Sequence, residues 1–265
     1  MARVTVGVSL KMYFGHQQAA TWFDAVATRV RAHDAVQSGT VELFVTPTFL
    51  QVLPALQAFA GTPVRIGGQD VAATDTGAFT GEVSAAELAE VGASVAEIGH
   101  AERRRLFAET DEVVADKTAA ALRAGLTPLL CIGETERQDP SAAADVAVAQ
   151  LRAALADAPA SAVIVAYEPV WAIGAAEPAP VAHIAGVAER LRAELDLLAG
   201  RDHSIAIYGG SAGRGLLTEL GDSVDGLFLG RFAHDPDALA GVLDEAASLA
   251  DARAGASVTT TAAAP

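Results

Sequence analysis

Eight short apolar runs alternate along the chain with longer segments rich in Ala, Leu, Glu and Arg. Runs of this length predict buried strands, and the segments between them have the composition of helices. The predicted strands are Val4–Leu10, Val41–Val45, Val64–Gly68, Ser94–Gly99, Leu126–Ile132, Val163–Tyr167, Ile205–Tyr208 and Gly226–Gly230. Regular alternation predicts a parallel sheet, and eight units of about 30 residues predict a single closed (β/α)8 barrel of the α/β class.

A doubly wound open sheet is the alternative architecture. It would be expected to have a glycine-rich turn directly after its first strand, and Ser9–Tyr13 contains no glycine. Helices are predicted over several of the intervening segments, among them Ala19–His33, Ser84–Val91, Asp111–Ala124, Ala142–Ala156, Pro180–Leu198, Arg214–Leu220 and Pro236–Ala252.

No internal linker rich in Pro, Gly or Ser divides the chain, so we predict one barrel domain over residues 1–252. Residues 253–265 are mostly small and polar, and we predict that they form a loose C-terminal tail.

The charge of the chain restricts its partners. Its formal net charge of -15 predicts that it binds no nucleic acid, because the phosphates would be repelled. No apolar segment approaches the ~20 residues of a membrane span, and no signal-peptide cleavage pattern follows the N-terminus, so we expect a cytoplasmic protein without membrane contact. The one cysteine, Cys131, is predicted to be an unreactive buried thiol, and the six histidines show no metal-ligand spacing.

The chemistry-bearing residues fall at the ends of predicted strands. Lys11 follows the first strand, His100 the fourth and Glu168 the sixth, and glycine-bearing turns follow the last two. In a (β/α)8 barrel these ends meet at one mouth. A carboxylate can remove a proton next to a carbonyl, and an imidazole can polarise the carbonyl oxygen. Backbone N–H groups of glycine turns can hold a phosphate without many side-chain charges, as an acidic protein needs.

Five segments of the chain resemble the signature segments of the triosephosphate isomerase family, in the same order and with similar spacing. They are Ser9–Met12, Glu97–Arg104, Cys131–Glu134, Ala166–Gly174 and Tyr208–Ser211. The resemblance spans residues 4 to about 250 and implies a TIM barrel that needs no cofactor. It implies that Glu168 is the catalytic base, that neutral His100 is the electrophile, that Lys11 is the electrostatic partner and that Glu102 is a further active-site carboxylate.

The resemblance also implies a phosphate site and a lid. Gly174, Ser211 and Gly230 fall where the family holds phosphate through backbone N–H groups, and the turn at Gly209 and Gly210 belongs to the same site. Residues 169–179 would form the closing lid. The loop Gly77–Ser84 resembles the loop that the family inserts into a partner subunit, which implies a homodimer. The arginines of residues 103–105 are expected to make structural ion pairs, as in the family.

Four departures from the family pattern leave the substrate open. Ser9 stands where the family has Asn, Ala101 replaces a serine that holds the resting base, and residues 174–178 replace the lid sequence Gly-Thr-Gly-Lys. After the last strand, Gly230 is followed by Arg231, as in the branch of the family that isomerises four-carbon ketose phosphates. A triose phosphate, in glycolysis and gluconeogenesis, and an erythrulose phosphate, in erythritol catabolism, are both candidates for this ketose–aldose isomerase.

Two other functions remain open at this point. Ser9 and Ala101 would fit a non-catalytic phosphate-binding barrel, and Lys11 could form a Schiff base as in an aldolase. Several side chains also have plain structural interpretations. The histidines other than His100 are predicted to be surface residues: His16, His33, His183, His203 and His234.

Overall fold

Eight parallel strands close into a barrel in the computed structural model, which describes residues 3–261. The strands are β1 (Val4–Ser9), β2 (Val41–Thr46), β3 (Arg65–Gly68), β4 (Val95–Ile98), β5 (Thr127–Ile132), β6 (Ile164–Tyr167), β7 (Ile205–Tyr208) and β8 (Gly226–Leu229). They pair in chain order, and β8 pairs with β1, where Gly226 lies opposite Thr5. The predicted (β/α)8 barrel is therefore confirmed, and the open sheet is excluded.

Over residues 3–261, ten α-helices lie outside the barrel or in its loops. They are α1 (His16–Arg31), α2 (Asp34–Gln37), α3 (Phe49–Ala58), α4 (Ala85–Glu90), α5 (Ala101–Phe107), α6 (Asp111–Arg123), α7 (Pro140–Leu155), α8 (Val181–Leu197), α9 (Leu216–Leu220) and α10 (Pro236–Thr261). No helix of the described chain is both long and apolar enough to cross a membrane.

The last helix is longer than predicted. We placed its end at Ala252 and a loose tail after it, but α10 continues to Thr261. Arg253 contributes to this extension by donating to Asp222 Oδ1 and to the carbonyl oxygens of Gly221 and Val224. Residues 262–265 of the predicted tail lie outside the described residues.

Two helices next to the barrel mouth were not predicted from the sequence. Helix α3 contains Pro54, which lacks a backbone N–H and normally argues against a helix interior. Helix α5 begins at the residue after His100 and includes three consecutive arginines, for which the sequence predicted ion pairs but no helix. Burial of Val52 and Ala55 against the barrel stabilises α3 in spite of its proline.

The strands bury both of their faces. Residues that point into the barrel, such as Phe44, Val95, Leu129 and Phe228, form one apolar cluster, and their neighbours in sequence pack against the helices. Each fully buried side chain of this size contributes about 1.5–3 kcal/mol. Burial of both faces explains why the sequences of the strands are continuous apolar runs rather than alternating apolar and polar residues. Polar side chains face the interior at the two ends of the strands: Thr5 donates to Glu42 at the N-terminal end, and Ser9 donates to Glu97 near the C-terminal end.

Closure of the barrel depends on a close approach at Gly226. A Cβ at this position would lie 1.7 Å from the carbonyl oxygen of Thr5 on β1, which is backbone and has little room to move. We predict that Gly226→Ala lowers the free energy of unfolding by about 1–3 kcal/mol, the usual effect of overpacking. Urea denaturation followed by circular dichroism measures this change.

Gly186→Ala is the matched control. This glycine lies inside α8, and its added Cβ would meet only Pro140 Cβ at an ordinary 3.4 Å. The higher helix propensity of alanine should raise stability by up to about 1 kcal/mol. Equal effects of the two substitutions would contradict the role assigned to Gly226.

Candidate active site

A cavity of about 720 Å³ opens at the C-terminal ends of the strands. It is lined by residues that follow β1, β4, β6, β7 and β8. The structure brings every site residue predicted from the sequence to this cavity: Ser9, Lys11, His100, Glu102, Glu168, Gly174, Gly209, Gly210, Ser211, Gly230 and Arg231.

Lys11 is held in a strained turn directly after β1. Its φ of 49° lies in the left-handed region, which is uncommon for residues other than glycine. Gln69 Nε2 donates to the carbonyl oxygens of Lys11 and Thr46, both at 2.9 Å, and so fixes the turn. Lys11 Nζ donates to Glu102 Oε1 at 2.8 Å. Burial alone would lower the pKa of Lys11, but Glu102 and Glu168 outweigh it and raise this pKa, so the side chain is a permanent cation.

His100 caps the N-terminus of α5 with its ring. Nδ1 accepts the backbone N–H of Glu102 at 3.1 Å, so the proton of a neutral ring resides on Nε2. Burial, together with repulsion by Lys11, lowers the pKa of His100 to about 4, against an opposing effect of Glu102. The ring is therefore a neutral hydrogen-bond donor at physiological pH. It lines the cavity, and its Nε2–H lies on the side of Glu168.

Glu168 extends from the end of β6 and is only 3% exposed. Its Oε1 lies 3.6 Å from His100 Nε2, and its Oε2 has no hydrogen-bond partner among the described residues. Burial, reinforced by the charge of Glu97 and opposed by Lys11, raises the pKa of Glu168 to about 8. Ala101, which lacks a hydroxyl, offers this carboxylate no alternative partner. The result is a desolvated carboxyl group in the cavity wall, and one of its oxygens is buried without a hydrogen-bond partner.

Gly209 makes room for this carboxylate. A Cβ at Gly209 would lie 2.8 Å from Glu168 Cγ. The glycine of the turn after β7 is thus required by the position of the acid side chain.

Backbone N–H groups at the cavity lack a hydrogen-bond partner among residues 3–261. They include those of Gly174, Gly210 and Gly230, which come from three different loops. Unpaired N–H groups that converge from separate turns form an anion site. Ser211 differs from the expectation, because its N–H donates to the carbonyl oxygen of Ala172 at 3.2 Å. In this structure Ser211 is a contact of the lid segment rather than a free donor.

The lid segment, residues 169–179, is held at both ends. At its start, Trp171 Nε1 donates to Glu134 Oε1 at 2.7 Å. Further along, Ser211 Oγ donates to the carbonyl oxygen of Ala175 at 2.8 Å, and the N–H of Ala179 donates to the Tyr208 hydroxyl at 3.1 Å. These contacts place the middle of the segment over the cavity.

His183 is buried, contrary to our prediction of a surface position. It lies on α8, is 6% exposed, and its Nε2 is 2.9 Å from the Tyr167 hydroxyl and 3.1 Å from Glu134 Oε1. Glu134 thereby joins β5, β6, α8 and the first residues of the lid segment. The sequence alone did not show which face of α8 would pack on the barrel.

The arginines near the mouth divide into two groups. Arg103 pairs with Asp70 and Glu109, and Arg104 pairs with Asp111, as the predicted structural role requires. Arg105 instead lines the cavity, as does Arg214, which sequence reasoning did not select. The exposed Arg231 lies over the ring of Tyr13, with Cζ 5.8 Å from the ring centroid.

Glu97 is the buried residue that sequence reasoning missed as part of the site. It points inward from β4, three residues before His100, and is 3% exposed. Its carboxylate accepts Ser9 Oγ at 3.0 Å and Thr46 Oγ1 at 2.7 Å. Burial raises the pKa of Glu97 to about 7, although both hydroxyls and the charge of Lys11 lower it. The sequence signal that could have identified Glu97 is an acidic residue inside a predicted buried strand.

The raised pKa of Glu168 predicts a pH-dependent cost in stability. Below its ordinary value of 4.5 the carboxyl is protonated in both folded and unfolded chains, and the cost is absent. Between pH 4.5 and about 8 the unfolded chain releases this proton, whereas the folded chain retains it. The free energy of unfolding therefore falls as pH rises through this range. Glu168→Gln should therefore stabilise the protein by a few kcal/mol more at about pH 8.5 than at about pH 5.

Urea unfolding at both pH values measures this difference. Glu177→Gln is the control, because Glu177 is exposed on the lid segment and its replacement should have little effect at either pH. A Glu168→Gln advantage that is the same at both pH values would contradict the raised pKa.

Comparisons with known proteins agree with this geometry. The family described as triosephosphate isomerase matches residues 4–246. The L-erythrulose-1-phosphate isomerase of Pectobacterium atrosepticum is 52% identical over 93% of this chain and 97% of its own length. The triosephosphate isomerase of Leifsonia xyli is 39% identical over 88% of this chain and 93% of its own. The crystal structure of triosephosphate isomerase from Bartonella henselae superposes with a TM-score of 0.79 at 31% identity, covering 91% of this chain and 98% of that one. The chain belongs to the triosephosphate isomerase family, whose named relatives are isomerases.

Proposed function

We propose that this enzyme isomerises a short ketose phosphate by proton transfer through an enediol, without a cofactor. The observation that carries the proposal is the convergence of Glu168, His100 and Lys11 on one cavity that also holds unpaired backbone N–H groups. A base, a neutral proton donor, a cation and an anion site are the four elements that this reaction needs. No other chemistry that we considered uses all four.

Glu168 is the proposed base. Its Oε2 has no hydrogen-bond partner from which it would have to be released, and a carboxylate whose pKa is raised to about 8 is a stronger base than an exposed one. The same carboxyl then returns the proton to the neighbouring carbon. Such a shuttle requires water to be excluded, and the lid segment covers the cavity at this point.

His100 and Lys11 act on the oxygen atoms in the proposed mechanism. The Nε2–H of neutral His100 donates to the carbonyl oxygen, and a neutral imidazole can exchange this proton between the two enediol oxygens. Lys11 offsets the developing negative charge and remains cationic because Glu102 pairs with it. The phosphate would bind to the N–H groups of Gly174, Gly210 and Gly230.

A four-carbon erythrulose phosphate is our first candidate substrate. The 52% identity to the L-erythrulose-1-phosphate isomerase exceeds the 39% identity to the Leifsonia triosephosphate isomerase. Arg231 at the turn after β8 is consistent with this choice. Dihydroxyacetone phosphate is the second candidate.

The two substrates give products of different classes. Moving the carbonyl of dihydroxyacetone phosphate by one carbon gives an aldehyde, glyceraldehyde 3-phosphate. In L-erythrulose 1-phosphate the carbonyl at C2 has no terminal carbon beside it except the one that bears the phosphate. One enediol step therefore moves the carbonyl to C3 and yields a second ketose phosphate. The ketose–aldose description fits the triose, whereas the tetrulose reaction interconverts two ketoses.

The test is a side-by-side turnover assay on L-erythrulose 1-phosphate, D-erythrulose 1-phosphate and dihydroxyacetone phosphate. We expect the L-tetrulose phosphate to have the highest kcat/KM. Glu168→Asp should lower kcat by at least about a hundredfold, because it withdraws the carboxylate from the substrate carbon.

Product analysis and phosphate binding complete this test. Nuclear magnetic resonance in deuterium oxide should show solvent deuterium at the carbon that receives the proton. A clear preference for dihydroxyacetone phosphate would reverse our choice of substrate. Binding of inorganic phosphate with no turnover of any of the three compounds would favour the non-catalytic barrel, and borohydride trapping of substrate on Lys11 would favour Schiff-base chemistry.

We also propose a homodimer formed through the loops after β1 to β4. Large apolar side chains on the loops and helices that follow these four strands are exposed, including Met12 at 90%, Leu50 at 87%, Phe79 at 51% and Phe107 at 64%. An apolar surface of this kind is typical of a protein interface. Phe79 lies in the loop Gly77–Ser84 that we predicted to enter the partner subunit. A cytoplasmic location stays a prediction.

Phe79→Asp is predicted to dissociate the dimer and to lower kcat/KM, because a buried charge would face the partner beside the catalytic loops. Light scattering coupled to size-exclusion chromatography measures the mass. Leu197→Asp is the control, since Leu197 is 79% exposed on α8 and away from these loops. If wild-type protein is a monomer at micromolar concentration, the proposed interface is wrong.

A further inference from the structure

Glu97 lies directly behind Ser9, which forms part of the cavity wall. Ser9 lines the cavity, whereas Glu97 does not reach it. Glu97 Oε2 is 3.0 Å and Oε1 is 3.3 Å from Ser9 Oγ. The surroundings of Glu97 inside the barrel are largely apolar, with Val95 on the same strand and Leu129 on the next. A carboxylate in such a place is costly to bury and needs a specific reason.

No cation forms an ion pair with Glu97 among residues 3–261. The nearby amine of Lys11 is paired with Glu102 instead. Among the described residues, the carboxylate of Glu97 has only the hydroxyls of Ser9 and Thr46 as hydrogen-bond partners. An ionised carboxylate accepts hydrogen bonds and donates none. When Glu97 is ionised, the Ser9 hydroxyl therefore directs its proton towards the carboxylate. Thr46 Oγ1 also donates to it, because that contact of 2.7 Å is shorter than the 3.4 Å contact with the carbonyl oxygen of Val8.

This arrangement fixes the polarity of Ser9. A serine hydroxyl has one proton and two lone pairs, and the proton of Ser9 is used by Glu97. No described group donates to Ser9 Oγ, so its lone pairs remain available at the cavity. Lys11 and His100 supply donors beside it. The cavity thus presents donors for the carbonyl oxygen and, at Ser9, an acceptor whose partner on a sugar phosphate is an O–H group.

We propose that Glu97 is a positioning residue that holds the Ser9 hydroxyl as a hydrogen-bond acceptor, and that this acceptor selects substrates carrying an additional hydroxyl beyond those of a triose phosphate. The inference rests on the proposed function, because it assumes that the cavity binds a sugar phosphate. The extra hydroxymethyl group of a four-carbon ketose phosphate supplies the O–H. An uncharged donor at position 9, such as the family's asparagine, would offer its N–H to substrate oxygen atoms instead.

The test uses two phosphates that lack a carbonyl and cannot be isomerised, erythritol 4-phosphate and glycerol 3-phosphate. Their dissociation constants are measured by calorimetry at about pH 8.5, where Glu97, with a pKa of about 7, is ionised. We expect wild-type protein to bind the four-carbon ligand about tenfold more tightly, the worth of one good hydrogen bond. Ser9→Ala and Glu97→Leu should each bring this ratio close to one.

A double-mutant cycle separates positioning from a structural role. If Glu97 acts through Ser9, Glu97→Leu has no further effect on the ratio once Ser9 is alanine. Thr46→Val is the matched control, because it removes the other donor to Glu97 and leaves the Ser9 contact intact; its ratio should stay near the wild-type value. Glu97→Met serves as the second variant if the leucine does not pack in the barrel.

The outcomes distinguish the two proposals. A wild-type ratio near one, or a ratio that Glu97→Leu and Glu97→Met leave unchanged, overturns the role of Glu97. A further loss of selectivity in the Ser9→Ala background also overturns it, since Glu97 would then act by another route. The proposed function fails separately, if no ketose phosphate is turned over, and this result does not alter the ligand ratio.

Discussion

The site depends on the electrostatic balance around one half-buried lysine. Lys11 is the cation at the barrel mouth to which three glutamates contribute attraction, and each glutamate responds differently. Glu102 pairs with Lys11 directly, and this contact lowers its pKa against the effect of burial. Glu97 and Glu168 have no such contact, and burial raises both of their pKa values. Because Lys11 pairs with only one of the three glutamates, the other two carboxyls have pKa values close to neutral pH. In this range a carboxyl can both give and take a proton.

The barrel makes this balance possible because its fixed backbone geometry keeps the charged groups apart. Strands β1, β4 and β6 carry Lys11, His100 and Glu168 to their common end, and the register of the closed sheet fixes their separation. Loops then add what the strands cannot supply: the cap of α5 orients His100, and Gln69 restrains the turn at Lys11. The strained φ of Lys11 is tolerated because the surrounding hydrogen bonds determine it.

The sequence predicted the barrel and the strand ends well, for a physical reason. Strands buried on both faces produce uninterrupted apolar runs, and their order along the chain is their order in the sheet. Features that depend on contacts between distant segments could not be predicted from the sequence in this way. Pro54 argued against α3, which packing stabilises, and His183 could not be placed because the buried face of α8 is set by Glu134. The continuation of α10 past Ala252 likewise relies on the contacts of Arg253 with residues after α9.

The departures from the family pattern are best understood together. Ser9 is shorter than asparagine, and on its own it would leave polar space beneath the cavity. Glu97 and Thr46 fill that space with hydrogen bonds, so the serine is part of a buried polar group rather than an isolated loss. Ala101 acts in the same direction from the other side, since without a hydroxyl there Glu168 has no resting partner outside the site and keeps its Oε2 free. Both changes therefore leave a carboxyl group and a hydroxyl acceptor in the lining of the cavity, which is the arrangement that the proposed isomerase function requires and a non-catalytic barrel would not need.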